Sequence, residues 1–182
     1  MARLIILLAV LGAEYVHAAY KLSGPYEVNI LEVNQCQDMT DNKVKYTTKL
    51  TKKSKSEKVW STSFTLPIDL DEESKMVLDA DIWGSTGGWN KNGFHHEAEN
   101  LCKLLTDDLP DLYQKLLEHF GLNEGCPVKA GTFEVKDFPT KWGIQKKFPE
   151  LPYGKFRAEV KVFSGDEYAG CFSLTVEVVE TA

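Results

Sequence analysis

Two stretches near the C-terminal end alternate apolar and polar residues without a break. They are Lys155-Phe156-Arg157-Ala158-Glu159-Val160-Lys161-Val162-Phe163 and Cys171-Phe172-Ser173-Leu174-Thr175-Val176-Glu177-Val178. Successive side chains of an extended strand point to opposite faces, so period-two alternation describes a strand with one buried and one wet face. A chain that repeats this pattern is held to antiparallel sheets, because parallel strands covered on both faces read as continuous apolar runs. Ser164-Gly165-Asp166-Glu167 between the two stretches reads as a hairpin turn. The same alternation marks residues 26–30, 44–46, 59–64 and 76–82, and residues 132–135 form a further strand. Polar connections at this spacing suit a sandwich or a barrel.

One segment breaks the pattern. Leu109, Leu112, Tyr113, Leu116, Leu117 and Phe120 recur at the helical spacing i, i+3, i+4, i+7, i+8, i+11. Asp108 is placed to cap this helix, Pro110 suits its first turn, and Gly121 can end it. A shorter helix is expected from about residue 97 to 105. No repeat or linker divides the chain. The expected fold is mainly β: an immunoglobulin-like antiparallel β-sandwich of seven or eight strands with a helical insertion around 97–121.

The first 18 residues read as a secretory signal peptide. Arg3 supplies a short positive region, an apolar run follows from Leu4, and Val16-His17-Ala18 forms a cleavage site. The run is too short to span a bilayer. Residues 19–182 are then a single extracellular domain, secreted or delivered to the lysosomal lumen. All four cysteines, Cys36, Cys102, Cys126 and Cys171, lie in it, and in an oxidising compartment an even count reads as two disulfides. Four cysteines allow three pairings, and spacing does not choose among them. The net charge of -6 argues against nucleic acid, which demands a basic face, and against permanent docking on an anionic membrane. No Asn-x-Ser/Thr acceptor is present.

Catalytic patterns are scarce. Gly84-Ser85-Thr86-Gly87-Gly88 lacks the Gly-x-Ser-x-Gly order of a hydrolase elbow and reads as a hairpin loop. His95-His96-Glu97 would offer neighbouring ligands to opposite faces of a strand, so a solvated loop is the favoured reading. Asp69-Leu70-Asp71-Glu72-Glu73 lacks the spacing and glycine of a calcium loop and reads as a charged turn. The lysine-rich residues 49–58 read as an exposed hairpin. No metal and no cofactor are expected. The aromatic residues carry more information. Phe64, Phe133, Phe156 and Phe163 occupy alternating positions and belong to the sandwich interior, with Trp60, Ile82 and Phe120 as further lining candidates. Trp83, Trp89, Phe94, Trp142, Ile144 and Phe148 sit among Gly, Asn and Lys. Aromatic residues in such a setting mark the mouth of a site or a membrane-touching rim.

Several C-terminal segments resemble a known family. Cys126-Pro127-Val128-Lys129-Ala130-Gly131-Thr132-Phe133 is similar to the Cys-Pro-x-Lys-x-Gly-Thr-aromatic segment of ganglioside activator proteins. Phe148-Pro149-Glu150-Leu151-Pro152, Gly154-Lys155-Phe156-Arg157-Ala158-Glu159, and Ser164-Gly165 followed by Gly170-Cys171 resemble that family's later segments in the same order. Leu101-Cys102-Lys103-Leu104-Leu105 resembles arthropod secreted proteins of the same type. The resemblance is to the ML lipid-recognition superfamily. It implies a cup-like sandwich, a lipid chain between the sheets and no catalytic residues. It also implies the pairing Cys36–Cys171, which leaves Cys102–Cys126. Activators of this family carry eight cysteines where this chain has four.

The functional expectation is a secreted, non-catalytic protein that carries or presents a fatty acid, glycolipid, sterol or terpenoid between its sheets. It would touch membranes transiently and hand its ligand to a hydrolase or receptor. Each buried methylene would contribute about 0.8 kcal/mol. The alternative is a secreted interaction protein or immune co-receptor with a filled core. A secreted hydrolase ranks last, because no nucleophile–base set is visible.

Overall fold

A computed structural model describes residues 24–36, 43–55, 57–122 and 125–181. The signal-peptide reading of residues 1–18 lies outside the described residues. Nine strands are present among those described: β1 (Tyr26–Gln35), β2 (Lys45–Lys52), β3 (Lys58–Leu66), β4 (Ser74–Trp83), β5 (Trp89–Ala98), β6 (Gly131–Pro139), β7 (Lys141–Trp142), β8 (Gly154–Ser164) and β9 (Glu167–Glu180). They form two antiparallel sheets, a larger one in the order β5-β4-β8-β9-β1-β7 and a smaller one in the order β2-β3-β6. This is the mainly-β sandwich with a helical insertion that the alternation and the helical stripe predict. Two strands go beyond the expected set, β5 and β7. The glycine-rich loop and the lysine-rich segment are the hairpins expected: Gly84 and Gly88 close the β4–β5 turn (2.8 Å), and Lys53 and Glu57 close the β2–β3 turn (2.9 Å). The β8–β9 turn is also as expected, with Gly165 at φ 55°.

The helical insertion follows β5. A short α1 (Leu101–Lys103) begins at Asn100, whose side chain accepts the Lys103 N–H at 2.7 Å. A π-helical turn over Leu104–Asp108 continues it, and α2 (Pro110–Phe120) follows. The first helix therefore starts later than residue 97, because Glu97 and Ala98 still pair with Val77 and Met76 in β5. Asp108 does not cap α2. Leu109 occupies the cap position, and Asp108 instead pairs with Lys147 at 2.6 Å. Pro110 does occupy the first turn, and Gly121 ends the helix in the left-handed conformation (φ 65°).

Alternation decides which side chains enter the sandwich. From the large sheet, Tyr26, Val28 and Ile30 of β1, Leu174 and Val178 of β9, and Phe156, Ala158 and Val160 of β8 are buried. A register shift at Ile30/Glu32 keeps Val33 on the same inner face. From the small sheet, Val135 and Phe138 of β6 are buried. The sheets are tied at one edge by Thr140, where the chain crosses between them. Its carbonyl accepts the Ile30 N–H (3.2 Å), and its hydroxyl donates to the Lys58 carbonyl (3.0 Å). Tyr46 adds a second tie, donating its hydroxyl to the Asn34 carbonyl. Burial, with Tyr168 adding to it, pushes this phenol up to about 12, so it remains a donor.

Both disulfides follow the pairing that the resemblance implies: Cys36–Cys171 with Cα atoms 5.8 Å apart, and Cys102–Cys126 at 5.7 Å. The first joins the end of β1 to β9. The second joins α1 to the chain just before β6.

Candidate functional site

The helices lie along one flank of the sandwich. Leu101, Leu104 and Leu109 pack with Met76, Ala98 and Val162 of the large sheet, and Leu112 at the start of α2 joins them. At the other end of α2, Phe120 packs on Phe64 (ring centroids 5.4 Å apart) and Phe133 (6.1 Å) of the small sheet. His119 packs on Phe138 (5.1 Å). Leu112 and Phe120 are separated by about 12 Å along the helix axis. The helix thus runs from the leucine cluster on the large sheet to the aromatic cluster on the small sheet.

Apolar side chains line this flank and stay only partly buried. No residue of α2 is buried, although Leu112, Leu116, Leu117 and Phe120 make an apolar stripe. Met76 and Leu78 of β4, Phe94 of β5 and Val162 of β8 share the inner face with buried neighbours, yet are only partly buried. Leu50, Trp60, Phe64 and Phe133 of the small sheet do the same. On the β1–β9 side Tyr26, Val28, Ile30, Leu174 and Val178 are buried, and Val176 and Phe172 are partly buried against them.

The predicted lining residues divide into groups. Phe64, Phe133 and Phe120 form one aromatic cluster on the small sheet. Trp60, Phe138 and Trp142 form a second, with Phe138 at the centre, 6.0 Å from each tryptophan. The Trp142 indole donates to the Pro139 carbonyl (2.9 Å), so this residue sits in the sandwich and not on a free loop. Phe94 and Phe148 make a third group (5.6 Å), with Ile144 one turn before Phe148. The Phe148 turn is held to β1, because Tyr26 donates its hydroxyl to the Phe148 carbonyl and Gln145 donates to the Tyr26 carbonyl (2.6 Å). Ile82 and Phe156 lie in the packed core of the large sheet.

Three candidates lie elsewhere. Trp83 and Trp89 face each other across the β4–β5 pair (5.2 Å) on the outer face of the large sheet, and Trp83 is 47% exposed. The Arg157 guanidinium covers the Trp89 ring (4.9 Å) and pairs with Asp81 (2.6 Å). Phe163 also faces outward, where it packs on Tyr168 (5.6 Å). Trp89 and Phe94 are strand residues and not loop residues.

His95 and His96 are likewise in β5 and not in a loop, and they point to opposite faces as adjacent strand residues must. His95 bridges the carboxylates of Asp79 (2.7 Å) and Glu97 (3.1 Å) on the outer face. Those hydrogen bonds, Asp79 first, raise its pKa above the ordinary 6.5. His96 faces inward opposite Leu78, with its ring edge-on to Phe148 (5.2 Å). Its Nε2 is buried and has no hydrogen-bond partner. Burial, then the Lys147 charge, pushes its pKa below 6.5, against a smaller opposing effect of Asp108. Sequence reading weighs this pair as metal ligands and favours a solvated loop instead. The signal it missed was the inward register of His96.

Among the described residues, Cys36, Glu159 and Cys171 bring potential metal ligands within 4.8 Å of one another, but the two sulfurs are joined as a disulfide. The Asp69–Glu73 segment is the expected charged turn: Asp69 takes Lys129 (2.8 Å) and the Ala130 N–H (2.8 Å), and Asp71 caps Glu73 (3.0 Å). An open depression of about 280 Å³ on the outer face of the small sheet is lined by Thr47, Lys49, Ser61, Ser63, Glu134 and Lys136 among others. No helix among the described residues is long and apolar enough to cross a membrane. No protein-family model matches the chain, and no curated protein matches it in sequence.

Proposed function

We propose that this protein is a secreted, non-catalytic carrier of a lipid whose hydrocarbon portion lies between the sheets, against α2. One observation carries the reading: the apolar stripe of α2 and apolar side chains on the inner faces of β4, β5, β3 and β6 stay only partly buried. Apolar surface left wet in a concave setting is a site for an apolar partner. Each methylene that entered would contribute about 0.8 kcal/mol before the costs of binding. The resemblance of residues 126–171 to lipid-recognition proteins supports the same reading. The two disulfides suit an oxidising, extracellular setting.

The test is saturation binding of the fluorescent probe N-phenyl-1-naphthylamine to the purified protein. A blue-shifted, saturable signal at one probe per chain, displaced by long-chain lipids, is expected. No saturable signal would overturn the reading and favour an interaction protein, for which the outward Trp83 and Trp89 pair is the natural contact.

A further inference from the structure

The partly buried inner faces beside the helices are mainly apolar, and on them one polar atom stands out. His96 Nε2 is buried without a hydrogen-bond partner. A buried polar atom with no partner forfeits its hydration and recovers nothing, so a partner at that atom would be stabilising. The ring is set between Leu78, its register partner in β4, and Phe148, and Phe94 packs on the far side of Phe148.

We propose that His96 Nε2 hydrogen-bonds the hydroxyl group of a lipid alcohol, and so selects hydroxyl-bearing ligands within the carrier role proposed above. The proposal rests on that role. Three features favour a hydroxyl over a carboxylate. Lys147, the cation nearest in influence to His96, is already paired with Asp108 at 2.6 Å. His95 faces the opposite side of the sheet, between Asp79 and Glu97. Burial, then the Lys147 charge, lowers the His96 pKa, which disfavours a charged ring at this position. A carboxylate entering there would lose its hydration against a neutral ring. A hydroxyl donates one hydrogen bond and accepts others, so it satisfies Nε2 in either imidazole tautomer. Hydrogen-bonding sites discriminate strongly against analogues lacking the matching group, whereas the apolar wall around them does not distinguish one methylene from the next.

The experiment measures displacement of N-phenyl-1-naphthylamine by dodecan-1-ol, dodecane and dodecanoate from the full protein and from His96→Phe and His96→Gln. The readout is the ratio of alcohol to alkane affinity, which cancels the chain's contribution. In His96→Phe this ratio falls about tenfold while affinity for dodecane holds. His96→Gln, which keeps a hydrogen-bonding side chain, retains most of the ratio. A ratio unchanged in His96→Phe overturns the proposal, as does a preference for dodecanoate that disappears with His96. Should His96→Phe not fold, His96→Leu replaces it, and a wild-type protein that ranks dodecanoate above dodecan-1-ol is sufficient to refute the assignment. A wild-type protein that takes up neither probe nor any of the three competitors overturns the carrier role itself, which is a different result from lipid uptake without discrimination.

Discussion

Phe138 and Phe120 lie on the same side of the small sheet and differ in what surrounds them, so truncating each reports how full the interior is. Phe138 is 0% exposed and touches Trp60, His119 and Trp142. Phe138→Ala removes a ring from a closed cluster, which costs about 3–5 kcal/mol. For a domain of this size that corresponds to a fall in Tm of about 6–20 °C. Phe120 touches Phe64 and Phe133 but keeps part of its surface wet, so Phe120→Ala forfeits less transfer free energy and leaves no sealed cavity. Its cost is about 1–2 kcal/mol. Urea unfolding followed by tryptophan fluorescence measures both, with the dependence on urea unchanged between variants. Saturating lipid should stabilise the wild type, by about 2.7 kcal/mol at a hundredfold excess over Kd. Phe120→Ala loses most of that added stability. An equal cost for the two truncations, with no effect of Phe120→Ala on lipid stabilisation, would show that the helix packs on a filled core.

The adjacent histidines titrate in opposite directions. His95, raised by Asp79 and Glu97, contributes stability that is fully present below pH 6.5 and is lost as pH rises through its raised pKa. His96, lowered by burial, leaves the unfolded chain to take up a proton first, so its penalty grows as pH falls below 6.5. NMR titration should place the His95 midpoint above 6.5 and the His96 midpoint below it, and the reverse order would contradict the assigned faces. Replacing the Cys36–Cys171 pair by Ala should cost about 5 kcal/mol and the Cys102–Cys126 pair about 3, from loops of 135 and 24 residues, and denaturant melts of the two double variants decide the order. Gly93→Ala would place a Cβ 2.5 Å from Ile82 Cγ1, forcing β5 away from β4 at a cost of about 1–3 kcal/mol, whereas Trp83→Ala on the outer face should stay within about 0.5 kcal/mol and leave lipid uptake unchanged.

The legible parts of the fold were those where one physical cause dominated. β8 and β9 are central strands with one inner and one outer face, and their alternation is written without interruption from Phe156 to Val162 and from Phe172 to Val178. The stripe and the terminal glycine of α2 were equally plain. β5 was illegible because it is an edge strand whose pairing slips between Ala80 and Ile82, with Asn92 at φ 57°, so Trp89-Asn90-Lys91-Asn92-Gly93-Phe94 does not alternate. β7 is two residues long and carries no periodicity. The site suffered from the same gap. Without β5, Trp89 and Phe94 read alike as loop aromatics, although the strand sends Trp89 outward and Phe94 inward, and the inward turn of His96 could not be seen. Asn100 was a readable helix cap, but the expected helix start at residue 97 overran it.

Lipid carriage beside α2, as proposed above, is open to a direct test. Native mass spectrometry of protein secreted from eukaryotic cells and purified without detergent tests it most directly. The account predicts a population heavier than the bare chain by the mass of one lipid, lost on delipidation and restored by incubation with a long-chain alcohol. A single species at the mass of the bare chain, unchanged after that incubation, would contradict it.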